Sequence, residues 1–71
     1  MSSYNDFLLV VDSLPKSTSF AVTYDWCSSK GLILTPDLAK SWGRQFAVDY
    51  VSHNTLSCGK GSDNHHLYQK I

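Results

Sequence analysis

The first apolar residues of the chain, Tyr4, Phe7, Leu8, Val11 and Leu14, fall at i, i+3, i+4, i+7 and i+10. That spacing places them on one helical face and predicts a first helix over residues 3–14. Ser3 can cap its start, and Asp6 sits where the helix dipole favours a carboxylate. Pro15 biases Leu14 away from the α region and ends the element. Residues 18–30 carry two periods at once. Phe20, Val22, Tyr24 and Trp26 alternate with Ala21, Thr23 and Asp25, as in a strand, whereas Phe20, Tyr24 and Cys27 share a helical face. Ser17, Thr18 and Ser19 offer an N-cap, and Ser28-Ser29-Lys30-Gly31 resembles a helix end with a basic last turn and a glycine beyond it. The expectation is therefore a second helix over residues 18–30.

Leu32-Ile33-Leu34 is a short apolar bridge able to pair as a brief strand. Thr35-Pro36-Asp37 announces a third helix, with an N-cap, a proline at the first position and an acid in the first turn. It is expected to run to about His53. With successive residues 100° apart, Leu38, Ala39, Trp42, Gly43, Phe46 and Tyr50 occupy one arc of roughly 140°. Asp37, Lys40, Ser41, Arg44 and Gln45 occupy another, interrupted only by Val48. Half of this helix is built to dock and half to face outwards. At the C-terminus, Thr55-Leu56-Ser57-Cys58 and His66-Leu67-Tyr68-Gln69-Lys70-Ile71 read as strands of a hairpin, joined by the turn-rich Gly59-Lys60-Gly61-Ser62-Asp63-Asn64. An isolated hairpin is marginal, so Leu56, Cys58 and either Tyr68 or Leu67 and Ile71 are expected to pack on the helices. The predicted class is α+β: three helices followed by a C-terminal β-hairpin, in one domain over residues 1–71.

Composition narrows the function classes. The chain has 71 residues with 42% apolar content, enough for a globular fold. A chain this short buries only roughly 60–65% of its unfolded surface. Its small core leaves little material for the walls of a catalytic cleft, so an enzyme is not expected. Phe7-Leu8-Leu9-Val10-Val11, the longest apolar run, is far short of the about 20 residues that span a bilayer. It lacks the basic flank and cleavage site of a signal peptide, and the expected compartment is the cytoplasm, with no membrane partner. Cys27 and Cys58 are then expected to be reduced thiols. Neither they nor His53, His65 and His66 show metal-ligand spacing, and no cofactor is implied. Ser62, Asp63, His65 and His66 lie too close together on a hairpin tip, with nothing to exclude water, to form a catalytic site. Gly59-Lys60-Gly61 lacks the glycine spacing and the following helix of a phosphate loop.

The net charge is zero, from six Lys+Arg and six Asp. Residues 1–29 hold Lys16 against Asp6, Asp12 and Asp25, a balance of −2. Residues 30–71 hold Lys30, Lys40, Arg44, Lys60 and Lys70 against Asp37, Asp49 and Asp63, a balance of +2. The chain has a mildly basic end, not a basic body.

The order of helix, helix, short bridge, capped amphipathic helix and polar-tipped hairpin resembles the winged helix-turn-helix superfamily over nearly the whole chain. The resemblance implies a DNA-binding transcriptional regulator of bacterial, plasmid or phage type, its third helix in the major groove of double-stranded DNA and its hairpin wing on the backbone. Carried over by position, Lys40, Ser41, Arg44 and Gln45 fall on the exposed arc of the third helix. Lys60, Ser62 and Asn64 fall at the wing tip, and Lys16 and Thr18 precede the second helix. The chemistry suits these positions. Arg44 can bond bidentately to guanine and Gln45 to adenine, while Lys40, Lys60 and the small hydroxyls suit phosphate. Neutrality and Asp37 within the arc oppose phosphate binding, and a homodimer would compensate by doubling the contacts.

Met1-Ser2-Ser3-Tyr4, Leu14-Pro15-Lys16 and Leu56-Ser57-Cys58 also resemble segments of small T7-type phage proteins that inhibit host RNA polymerase. This second resemblance implies a host-takeover protein whose exposed arc meets a host protein, such as RNA polymerase or a defence complex. An exposed patch holding Tyr24, Trp26 or Val48 would favour that partner, and a continuous Lys/Arg/Ser/Gln surface would favour nucleic acid.

Overall fold

The computed structural model describes residues 1–60 and 66–71, and for Lys60 the backbone alone. Helix α1 spans Tyr4–Asp12, strand β1 Ser19–Ala21, helix α2 Tyr24–Ser29 and helix α3 Pro36–Asp49. A 3-10 turn over Tyr50–His53 follows, then strands β2 (Thr55–Lys60) and β3 (His66–Lys70). The fold is a small α+β arrangement of helices against a three-stranded antiparallel sheet ordered β1-β3-β2.

Each helix begins at a side-chain cap. The Ser3 hydroxyl accepts from the Asp6 backbone N–H, and the Asp6 carboxylate accepts from the Ser3 N–H, closing a reciprocal box at the start of α1. Thr35 accepts from the Leu38 N–H, with Pro36 following it in the first turn of α3. The predicted apolar face of α1 packs as expected, with Phe7 and Val11 fully buried and Tyr4 and Leu8 partly buried; the helix stops at Asp12, short of the expected residue 14, and Leu14 packs on the core from beyond its end. On α3, Ala39, Trp42 and Phe46 are buried. Phe46 sits at the centre of the core. Its ring meets Tyr68 edge-on at 4.9 Å and Phe7 edge-on at 5.4 Å, with Phe20 at 5.8 Å.

The expected helix over residues 18–30 divides into β1 and α2. Phe20 and Val22 are buried in strand alternation, and Phe20 pairs opposite Tyr68 of β3. The helix starts only at Tyr24, where the Thr23 hydroxyl accepts from the Trp26 N–H, so Thr23 and not Ser17, Thr18 or Ser19 is the cap. It ends at Ser29, with Lys30 at the C-cap and not in the last turn, and Gly31 follows as expected at φ +84°, a backbone state that suits glycine. The sheet thus has three strands where the sequence suggested a two-stranded hairpin.

Three smaller corrections follow from packing. Leu32-Ile33-Leu34 forms no strand: Leu32 and Leu34 are buried, and Ile33 is held at the surface through its backbone, which exchanges hydrogen bonds with the Ser2 N–H and hydroxyl. The third helix keeps α geometry only to Asp49 before tightening into the 3-10 turn, which Asn54 closes in the left-handed region at φ +56°. On the hairpin, Tyr68 packs inward, whereas Leu56, Cys58, Leu67 and Ile71 are exposed. Thr55 is the buried residue of β2, its hydroxyl donating to the Tyr50 carbonyl. Lys70 is buried too, donating through Nζ to the His53 carbonyl at 3.1 Å. Both cysteines are free thiols, Cys27 buried and Cys58 exposed.

Candidate nucleic-acid interface

All four predicted positions on α3, Lys40, Ser41, Arg44 and Gln45, are exposed. The burial of Trp42 and Phe46 fixes the rotation of the helix, and the polar arc is the face left over. The arc is not uniform. Lys40 and Arg44 lie on the flank of α3 that lines a groove of about 540 Å³, above Ala39, Gly43 and Ala47. Ser41 and Gln45 lie on the other flank, and Asp37 stands between the two, only about 20° from Arg44, so both cations of the helix are on the groove side.

The opposite walls of the groove come from two other elements. Thr23, Tyr24 and Asp25, at the start of α2, form one wall with Val22. His66 and Tyr68 of β3 form another. The β3 wall is rigidly anchored, because Tyr68 is only 2% exposed and stacks on Phe20 at 5.8 Å. Burial, together with the neighbouring Tyr50 hydroxyl, raises the Tyr68 phenol above its usual range and keeps it neutral. Asp25, Lys40 and Arg44 form no ion pair among the described residues. One carboxylate and two cations therefore line the groove without a direct ion pair between them.

The remaining predicted positions divide. Lys60 lies at the end of β2, with its backbone paired to His66. Ser62 and Asn64 lie outside the described residues. Lys16 and Thr18 do not join the groove. Thr18 pairs its backbone with Lys70 at the C-terminal end of β3, whereas the groove meets β3 at His66 and Tyr68. Their expected position next to the second helix depended on a helix start that the structure moves to Tyr24.

Thr23, Tyr24, Asp25 and His66 were absent from the sequence-derived site. A signal for the α2 wall does exist in the sequence, since Thr23 followed by Asp25 is a cap with an acid in the first turn. Nothing local announces His66, which reaches the groove through strand pairing. Among the described residues no three potential ligands gather as a metal site, and no helix is long and apolar enough to cross a membrane. The surface also carries apolar residues outside the groove: Val48 is 81% exposed and Val51 68%. Trp26 is half-buried, packed on Phe20 and Phe7. Comparison with protein-family models, with curated proteins and with solved structures gives no match.

Proposed function

We propose that the protein is a small cytoplasmic DNA-binding regulator of transcription on the winged helix-turn-helix plan, with α3 in the major groove and the β2–β3 hairpin as the wing. The observation that carries this reading is the exposed arc of α3, where Lys40 and Arg44 border a groove whose far wall leads into the hairpin. A helix presenting two cations and two hydrogen-bonding side chains, Ser41 and Gln45, has the groups for phosphate contact and for base-edge readout. The order of α3, a 3-10 turn and an antiparallel hairpin, with β3 in the middle of the sheet, also supports the plan. The test is binding of a fluorescein-labelled random-sequence duplex at low salt by the parent and by the Lys40→Ala/Arg44→Ala double variant. Parent binding that the double variant loses is the expected result. Equal binding by both would place the contact elsewhere.

A second reading rests on a different observation. Val48 and Val51 stand one turn apart and largely in solvent, and Tyr24 is 41% exposed. Exposed apolar residues of this kind suit a protein partner, as in a phage-type inhibitor of a host protein such as RNA polymerase or a defence complex. Under that reading Val48→Asp abolishes capture of the partner and leaves duplex DNA binding absent in parent and variant alike.

A further inference from the structure

We propose that the groove between α2, α3 and β3 seats the phosphate ridge of one nucleic-acid strand, with Lys40 and Arg44 gripping phosphates and Asp25 on the facing wall limiting the affinity. This deepens the DNA-binding reading and rests on it. The sequence assigns Arg44 to a base edge, but its place on the groove flank of α3 points it to the backbone instead. Lys40 and Arg44 are four residues apart, about 6 Å along the helix axis, so they follow a strand that runs parallel to α3. Ala39, Gly43 and Ala47 beneath them are small, which leaves room for a ridge to settle between the walls. Base readout then falls to Ser41 and Gln45 on the other flank, which carries no cation.

Asp25 makes the proposal unusual. A carboxylate inside a phosphate seat repels the occupant, and Asp25 has no ion-pair partner among the described residues to mute it. The groove is thus built for weak, adjustable binding, in keeping with a chain of zero net charge.

The test uses the full chain and the labelled random-sequence duplex, with helix content by circular dichroism as a folding control. Asp25→Asn should tighten binding about threefold to fivefold at low salt, a gain that misfolding cannot imitate. Arg44→Ala should weaken all sequences alike and make the slope of log K against log salt shallower by about 0.9. Gln45→Ala should leave that slope unchanged and alter which sequences are preferred when binders are selected from a pool. If Asp25→Asn does not tighten binding, or Arg44→Ala changes sequence preference at constant slope, the groove does not hold the backbone. A parent that binds no duplex removes the DNA-binding reading, and the inference with it.

Discussion

Replacing Phe46 tests the rotation of α3, which decides the side chains that the helix presents outwards. Phe46 is fully buried, with ring partners Tyr68 at 4.9 Å and Phe7 at 5.4 Å in edge-on geometry. A chain of this length has about 4–11 kcal/mol of total stability. Phe46→Ala would remove about 3–5 kcal/mol and leave a variant on the edge of unfolding. Phe46→Leu is the better perturbation. It keeps an apolar side chain and forfeits two edge-on ring pairs worth about 0.5–1.5 kcal/mol each, so the expected loss is about 1–3 kcal/mol. Val48→Ala, two residues along and 81% exposed, should stay within about 0.5 kcal/mol of the parent. Urea unfolding, followed by tryptophan fluorescence and by circular dichroism, measures both. With a slope of about 1 kcal/mol/M, Phe46→Leu should lower the midpoint by about 1–3 M without changing the slope. A Val48→Ala loss as large as that of Phe46→Leu would mean that α3 is rotated differently about its axis. Val48 stands only about 40° from Arg44 on the helix, so a buried Val48 would carry Arg44 towards the core.

Further outcomes follow from the caps and from burial. Ser3→Ala and Thr35→Ala each remove a side chain that satisfies a first-turn N–H, and each should cost about 1 kcal/mol in the same unfolding assay. Burial pushes the Cys27 thiol up to about 11 from 9.0, and burial with the Asp49 carboxylate raises the Tyr4 phenol above its usual range. Both groups bind their protons more tightly when folded. Their contribution is fully present below the unfolded values and is lost as pH rises. Stability should therefore fall from about pH 9 upwards, and Cys27→Ala should show a shallower fall; an equal fall in both proteins would exclude the thiol as a cause.

How much could be read in advance depended on whether the decisive partner was local. Helices α1 and α3 were legible because their caps and apolar faces lie within the elements themselves: Ser3 with Asp6, Thr35 with Pro36, Phe7 with Val11, Trp42 with Phe46. Residues 18–30 were misread because two elements meet at Thr23, and a strand of three residues is decided by its partner, Tyr68, far along the chain. The same non-local pairing decided which face of the hairpin turned inward, burying Thr55 and exposing Leu56. For the interface, the rotation of α3 placed Lys40, Ser41, Arg44 and Gln45 on the surface from periodicity alone. The separation of the groove-side cations Lys40 and Arg44 from Ser41 and Gln45 was not legible, because Tyr24, Asp25 and His66 reach the groove from separate elements.

On the proposed reading, this neutral chain binds nucleic acid through a few phosphate contacts beside α3. The most direct measurement is the affinity of the parent protein for random-sequence duplex DNA across a salt series. With Lys40 and Arg44 as the contacts, log K should fall against log salt with a slope of about −2. No binding at low salt, or an affinity that salt leaves unchanged, would contradict the account.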